Sequence, residues 1–238
     1  MFESLETLNP DPILGLMAAH REDPRSDKID LGVGVYRDDS GTTPIMAAVR
    51  QAEQRRFDSE LTKAYIGPPG TPEFNAATRA LMLGHGHATI TDQRIAGVQT
   101  PGGCGALRVA AELIKRARSQ STVWVSNPTW ANHVPLLGNA GLEIQEYDYY
   151  ARETHALDAD GMLYALAQVP AGDIVLLHGC CHNPSGVDLK AEHWTAIADL
   201  AVERGFIPFI DLAYQGLGDG LDIDAQGVRI VAEQCPEV

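Results

Sequence analysis

The sequence predicts an α/β fold, with a mixed, mainly parallel sheet flanked by helices. Short apolar runs of strand length alternate with longer segments whose apolar residues recur at helical spacing. This alternation is typical of parallel sheets, whose strands are joined by crossover helices. The chain has 238 residues, 45% of them hydrophobic, which is enough to form a sizeable core.

The predicted elements follow in order along the chain. Three helices come first, each with a proline at or near its start, where the missing N–H is tolerated: Pro12–His20, Pro44–Phe57 and Pro72–Leu83. Five apolar runs predict strands: Ile95–Gln99, Thr122–Ser126, Leu142–Tyr147, Ile174–His178 and Phe206–Asp211. Helical patterns separate and follow these runs: Ala106–Arg118, Asn132–Asn139, Gly161–Gln168, Ala191–Arg204 and Ala225–Glu233.

Composition excludes several classes of partner. The net charge of −14 repels nucleic acids and acidic membrane surfaces. No apolar run is long enough to predict a membrane span, and the first residues lack the pattern of a signal peptide. Four cysteines, two of them adjacent, do not resemble a disulfide framework, so we expect a reducing, cytoplasmic location.

A glycine-rich run, Thr100-Pro-Gly-Gly-Cys-Gly105, lies between a predicted strand and a predicted helix. Glycines let the backbone approach an anion, and the free N–H groups at a helix start bind phosphate. The same pattern also fits the turn that opens a dinucleotide-binding fold, or a tight turn without a ligand. No Gly-Lys-Ser/Thr follows, so the run is not a P-loop.

Two further positions suggest a bound heterocycle. Asp211 ends a predicted strand, where α/β folds place ligands, and a carboxylate there can keep a ring nitrogen protonated. Tyr214 follows three residues later and can reach an oxygen on the same ring. The alternative for Asp211 is a capping role in the next turn.

The segment after the fourth predicted strand contains His182-Asn-Pro-Ser-Gly186. Asn183 precedes a proline, which favours an extended backbone and lets the amide point into a cleft. Cys180 and Cys181 lie close by, but adjacent cysteines on a strand face opposite sides, so we expect no metal site. Trp130 is a candidate for stacking on a ring, with an ordinary core tryptophan as the alternative.

Together these motifs resemble the aspartate and aromatic-amino-acid aminotransferases, which are class I aminotransferases of the fold-type-I pyridoxal-phosphate enzymes. The resemblance runs along the whole chain. It includes Leu31-Gly-Val-Gly-Val-Tyr36, Thr100-Pro-Gly-Gly103, His178-Gly-Cys-Cys-His-Asn-Pro184 and Asp211-Leu-Ala-Tyr-Gln215. It implies amino-group transfer between aspartate or an aromatic amino acid and 2-oxoglutarate, with pyridoxal 5′-phosphate as cofactor.

The resemblance also assigns roles to single residues. Expected cofactor contacts are Gly102, Gly103, Cys104, Trp130, Asn183, Asp211, Tyr214 and, for the partner subunit's phosphate, Tyr65. Expected substrate contacts are Gly34, Trp130 and Asn183. Behind Asp211, His133 and His178 are expected to orient its carboxylate. Cys104 stands where relatives often have a hydroxyl, which weakens one expected hydrogen bond to the phosphate.

One expected residue is missing from the chain. In the family, a lysine in a Ser-x-x-Lys segment holds the cofactor covalently and moves the substrate proton. This chain has only four lysines, Lys28, Lys63, Lys115 and Lys190, and none has that context. We therefore expect a truncated chain without turnover of its own. The alternatives are a non-catalytic fragment or cofactor-binding module and, from the glycine turn alone, a nicotinamide-dependent dehydrogenase.

The resemblance divides the chain into two parts. Residues 1–43 are expected to form an N-terminal arm and the first segment of a small domain. Residues 44–238 are expected to form a large cofactor-binding domain, incomplete at its C-terminal end. The arm and Tyr65 imply a homodimer of the complete protein.

Overall fold

A computed structural model describes residues 12–30, 32 and 34–238, together with Glu3. The chain forms two compact units, residues 1–64 and residues 65–238. The expected boundary between residues 43 and 44 stays a prediction. In the described part of the chain, no helix is both long and apolar enough to cross a membrane.

The described residues of the first unit form two helices, α1 (Pro12–Glu22) and α2 (Ala47–Ser59). Lys28 stabilises the C-terminal end of α1, because its ammonium group donates to the carbonyl oxygens of His20 at 2.5 Å and Asp23 at 2.6 Å. Helix α2 buries none of its residues. Of the predicted arm, Phe2–Pro10, only Glu3 lies within the described residues.

The second unit carries the remaining elements. Its helices are α3 (Pro72–Leu83), α4 (Ala88–Thr91), α5 (Gly102–Ala117), α6 (His133–Gly138), α7 (Ala159–Leu166), α8 (Ala191–Arg204) and α9 (Gln226–Gln234). Its strands are β1 (Thr122–Asn127), β2 (Glu143–Asp148), β3 (Tyr150–Ala151), β4 (Ala156–Leu157), β5 (Ile174–His178) and β6 (Ile207–Asp211).

A parallel sheet of four strands, in the order β2-β1-β5-β6, forms the centre of this unit. All five residues of β5 are buried, as expected for a central strand covered on both faces. The β5–β6 register places His178 opposite Asp211. The carboxyl ends of the two strands therefore meet at one edge of the sheet.

Helices cover both faces of the sheet. Val175 and Leu177 of β5 point to one face, where they pack against α7, α8 and α9. Ile174 and Leu176 point to the other face, towards residues of α5 and α6. This alternation is the two-residue period of a strand, and it confirms the predicted helix–sheet–helix arrangement.

Most element predictions are confirmed to within a few residues, but one strand prediction is wrong. Ile95–Gln99 has no strand structure, because no strand of the described residues lies beside it to complete a ladder. The N–H of Gln99 instead donates to the carbonyl oxygen of Pro69 at 2.9 Å. The sequence analysis also missed the short α4 and the β3–β4 hairpin, whose strands have two residues each.

Asp173 holds the amino-terminal edge of the sheet together. Its carboxylate accepts the backbone N–H of Thr122 and the indole N–H of Trp124, both at 3.1 Å. Its own carbonyl oxygen accepts the N–H of Ile207 at 2.9 Å. One residue thus connects β1 and β6 to the start of β5.

Replacing Asp173 by alanine should destabilise the chain by about 1–3 kcal/mol, because two donors lose their acceptor. Urea unfolding followed by tryptophan fluorescence measures this change. Glu143→Ala is the control, since Glu143 is exposed at the same edge of the sheet and should cost less than about 0.5 kcal/mol. Equal losses in the two variants would contradict the role given to Asp173.

Candidate active site

A cavity of about 100 Å³ opens at the carboxyl ends of β5 and β6. This is the edge of an α/β sheet where ligands bind. Nine residues line the cavity: Gly103, Leu107, Trp130, His178, Cys180, Asn183, Asp211, Ala213 and Tyr214. The cavity therefore has an indole, an amide, a carboxylate and a phenol in its wall.

Each side of the cavity comes from a different element. Asp211 ends β6 and His178 ends β5, so the sheet register fixes both. Trp130 follows β1, and its ring packs edge-on against the imidazole of His133 with 5.3 Å between the ring centroids. Asn183 lies in the loop after β5, and Gly103 belongs to the first turn of α5.

The start of α5 leaves room for an anion. A Cβ atom added at Gly102 or Gly103 would meet nothing within 4 Å, and Gly102 has a φ of +70°, which favours glycine. By contrast, a Cβ at Gly105 would come within 2.8 Å of the Pro101 ring. The helix begins four residues before the predicted Ala106, so the glycine run forms its first turn rather than a preceding loop.

A chain of hydrogen bonds leads from the loop after β5 to Asp211. The N–H of Asn183 donates to Nδ1 of His178 at 3.4 Å, and Nε2 of His178 lies 3.2 Å from the hydroxyl of Thr129. The same hydroxyl lies 2.8 Å from Nδ1 of His133. Nε2 of His133 then lies 3.0 Å from Oδ2 of Asp211.

The hydrogen-bonding partners determine which group donates and which accepts in each of these bonds. Burial, with smaller effects of His182 and His133, lowers the pKa of His178 to about 3, so the ring is neutral at pH 7. Because its Nδ1 accepts a backbone proton, its Nε2 carries the hydrogen and donates to Thr129. Thr129 must then donate to His133, and His133 donates to the Asp211 carboxylate. The buried side chain of His133 thus presents an N–H to a carboxylate that is about 25% exposed.

A second buried histidine supports the wall of the cavity. The ring of His182 stacks on Tyr149, with 4.1 Å between the ring centroids, and lies at the same distance from the ring of His178. The hydroxyl of Ser126 donates to the carbonyl oxygen of Pro128, so it accepts from Nε2 of His182 at 3.0 Å. Nδ1 of His182 then accepts from Ser185 at 2.8 Å. Burial lowers the pKa of His182 to about 4.

The arrangement agrees with comparisons to known proteins. Residues 26–238 match the family described as aminotransferase class I and II. The chain is 48% identical over its whole length to aspartate aminotransferase of Escherichia coli (strain K12). It is 50% identical to the aromatic-amino-acid aminotransferase of Paracoccus denitrificans.

The chain belongs to the class I and II aminotransferases. It spans about 60% of the length of these two relatives.

Solved aminotransferases have the same fold. One is an aromatic amino acid aminotransferase solved with 3-indolebutyric acid, and the match covers 99% of this chain and 59% of the solved chain. The TM-score is 0.94 and the sequence identity is 49%. An aromatic-amino-acid aminotransferase from Burkholderia pseudomallei, solved covalently bound to pyridoxal phosphate, matches 98% of this chain and 58% of its own. Its TM-score is 0.94 and its identity 39%.

The fold brings six of the predicted aminotransferase site residues together. They are the cavity residues Gly103, Trp130, His178, Asn183, Asp211 and Tyr214. Their individual roles stay predictions. His133 lies directly behind Asp211 as expected, whereas His178 reaches Asp211 only through Thr129 and His133 and also lines the cavity itself.

Four other predicted site residues do not line this cavity. Gly102 and Cys104 lie beside it in the first turn of α5, with the Cys104 thiol exposed. Tyr65, at the start of the second unit, has a fully exposed side chain. Gly34 lies in the first unit, where a Cβ atom would meet nothing within 4 Å.

Two residues that help to hold the site from behind were not predicted from the sequence. Thr129 joins His133 to His178, and Asp188 accepts the backbone N–H groups of Cys181 and His182 at 2.6 and 2.7 Å. A threonine or aspartate in a loop has no spacing that marks such a contact. Only the position of Thr129, next to Trp130, could have drawn attention to it.

Stability should fall as pH drops from about 6.5 towards 4, partly because of His182. The unfolded chain binds a proton at the usual His pKa of 6.5, whereas the folded ring resists protonation until a pH of about 4. The variant His182→Gln keeps one donor and one acceptor but cannot titrate. In this pH range, the free energy of unfolding of His182→Gln should change with pH less steeply than that of the wild-type chain. The two slopes should differ by roughly 1.4 kcal/mol per pH unit.

Urea unfolding at several pH values between 4.5 and 7 compares the two proteins. Taking the difference between wild type and variant removes the contribution of titrating groups that do not interact with His182. Identical slopes would show that His182 binds its proton equally in the folded and unfolded chains.

Proposed function

We propose that the complete protein transfers an amino group between aspartate or an aromatic amino acid and 2-oxoglutarate, with pyridoxal 5′-phosphate as its cofactor. One observation carries this proposal above the others. Trp130, Asn183, Asp211 and Tyr214 line a single cavity at the carboxyl edge of the sheet. Membership of the aminotransferase family supports the same reaction class.

The residues of the cavity fit the ring of this cofactor. The carboxylate of Asp211 suits a protonated pyridine nitrogen, and the donated hydrogen bond from His133 keeps it in place. Trp130 offers a flat apolar face for stacking. The amide of Asn183 and the phenol of Tyr214 are donors that suit the phenolate oxygen of the ring.

The start of α5 fits the phosphate group. The first N–H groups of a helix have no partner within the helix, and the helix dipole favours an anion there. Open space at Gly102 and Gly103 lets a phosphate approach those N–H groups. The thiol of Cys104 is a weak hydrogen-bond donor, so the backbone provides most of the attraction.

When bound, pyridoxal phosphate supplies an electron-withdrawing ring that stabilises negative charge on the carbon of the substrate that loses its proton. The chain's part in this chemistry is to hold the ring nitrogen protonated, through Asp211. Because His133, Thr129 and His178 are ordered by their hydrogen bonds, the carboxylate is oriented before the cofactor arrives.

We further propose that the 238-residue chain does not turn over alone. In the second unit, the ammonium group of Lys115 donates to the carbonyl oxygens of Ser119 and Gly141. Lys190 precedes α8 and lies in a different cavity. Neither lysine lines the candidate site, and Lys28 is already bound to carbonyl oxygens in the first unit. The alternative function is cofactor binding without catalysis.

The expected partners are amino-acid and 2-oxo-acid substrates and a second subunit. We propose that the complete protein is a homodimer in which Tyr65 reaches the partner's phosphate, a role that its fully exposed side chain permits. Gly34, with open space at its α-carbon, is proposed to lie against the substrate carboxylate. A cytoplasmic location is proposed because all four cysteines are free thiols.

Asp211→Asn should weaken binding of pyridoxal phosphate by roughly tenfold to a hundredfold, since a charge-assisted hydrogen bond is worth about 1.5–3 kcal/mol. The amide oxygen can still accept from His133, so the fold should survive. Titration of the chain with pyridoxal phosphate, followed by tryptophan quenching, measures the affinity. Asp148→Asn removes the same charge from an exposed residue at the carboxyl edge of the sheet and should change affinity less than twofold. Similar losses in both variants would contradict the role of Asp211.

Purified chain, supplied with aspartate, 2-oxoglutarate and pyridoxal phosphate, should form oxaloacetate no faster than free cofactor does, because no lysine is placed to move the substrate proton. A coupled assay measures the product. Turnover well above the free-cofactor rate would refute the proposal for the isolated chain, and heat-denatured chain provides the background.

A further inference from the structure

The loop after β6 carries Tyr214 to the cavity, and a buried carboxylate holds this loop. Oδ2 of Asp224 accepts the backbone N–H groups of Gly216 at 2.7 Å and Gly218 at 3.0 Å. Oδ1 accepts the N–H of Asp219 at 2.7 Å. Asp224 is only 5% exposed, so one carboxylate satisfies three backbone donors of the same loop.

A turn begins at Tyr214, and Asp224 supports it next to the backbone hydrogen bond that closes it. The carbonyl oxygen of Tyr214 accepts the N–H of Leu217 at 2.9 Å. The residues on both sides of Leu217 donate to Asp224, so the turn is fixed from its inner side. Gln215 adds a second tether, because its amide donates to the carbonyl oxygens of Leu81 and Leu221, both at 2.8 Å.

The sequence of the loop is adapted to this carboxylate. A Cβ atom at Gly218 would lie 2.8 Å from Oδ1 of Asp224 and 3.2 Å from the sulfur of Cys181. Glycine at this position therefore allows the carboxylate to approach the backbone. Burial raises the pKa of Asp224, but the backbone N–H groups of the loop outweigh it, so the pKa lies below its usual range and the group is ionised at pH 7.

We propose that Asp224 is a positioning residue for Tyr214: by binding the N–H groups of Gly216, Gly218 and Asp219, it holds the phenol at the cavity wall. The inference rests on the proposed function, in which that phenol binds the phenolate oxygen of the cofactor. Asp224 itself does not line this cavity.

Asp224→Asn tests the proposal in the full chain without any ligand. The amide keeps one acceptor but turns an N–H₂ group towards at least one backbone donor, so the loop loses part of its support. Amide hydrogen exchange at Gly216, Gly218 and Asp219 should become at least tenfold faster. The ring signal of Tyr214, assigned by its loss in Tyr214→Phe and recorded with ¹³C-labelled tyrosine, should shift or broaden.

The matched control is Asp222→Asn, which removes the same charge from an exposed residue of the same loop, paired with Arg229. It should leave both signals unchanged. Gly218→Ala serves as a second variant if Asp224→Asn fails to fold. The added methyl group leaves the Asp224 carboxylate in the chain but pushes it away from the backbone of the loop. An unchanged Tyr214 signal in folded Asp224→Asn or Gly218→Ala would overturn the inference.

A double-mutant cycle on pyridoxal phosphate affinity separates positioning from a general loss of structure. Asp224→Asn and Tyr214→Phe should each weaken binding several-fold, and the double variant should be less than twofold weaker than Tyr214→Phe. A full effect of Asp224→Asn in the Tyr214→Phe background would overturn the inference. Failure of the wild-type chain to bind would contradict the proposed function instead, and the ligand-free signals would still decide the role of Asp224.

Discussion

The hydrogen bond from His133 to Asp211 is the contact on which the candidate site depends. Asp211 lies at the end of β6 with about a quarter of its carboxylate exposed, next to apolar walls in which a charge is costly. A donated hydrogen bond from a fully buried imidazole stabilises the charge and also sets its orientation. The donor is fixed in turn, because Thr129 has a single hydroxyl proton, which it donates to Nδ1 of His133 while its oxygen accepts from Nε2 of His178.

The sheet makes this chain of contacts possible. Parallel pairing of β5 with β6 places His178 and Asp211 at the same level. The N–H of Gly179 extends the pairing to the carbonyl oxygen of Asp211 at 2.8 Å. Asp173 aligns the opposite ends of β1, β5 and β6. A shift of one residue in either strand would turn that strand's own side chain, His178 or Asp211, to the other face of the sheet. The register that packs the core therefore also sets the geometry of the cavity.

Much of the fold could be predicted because apolar periodicity reports local burial. Strand β5 and helices α3 and α8 were predicted with the observed bounds, and Asp211 was recognised from its place at a strand end. Ile95–Gln99 has an equally strand-like sequence, but a strand also needs a paired neighbour, which local pattern cannot reveal. The start of α5 was missed because glycines are poor helix formers, although here they form the first turn where an anion can approach.

The polar and aromatic side chains that line the cavity were predictable, and so was His133 behind Asp211, whereas the loop residues that support them were not. An indole, an amide, a carboxylate and a phenol have chemistry that sequence alone suggests for a heterocycle. Thr129 reaches His178, which is distant in sequence, whereas Asp224 accepts from backbone groups of its own loop. Both resemble ordinary turn residues until the loops are placed. Both nevertheless do the same physical work. Each satisfies buried polar groups that would otherwise be free to rearrange. Thr129 orders the Asp211 side of the cavity and Asp224 the Tyr214 side, so both walls are organised by contacts within the chain itself.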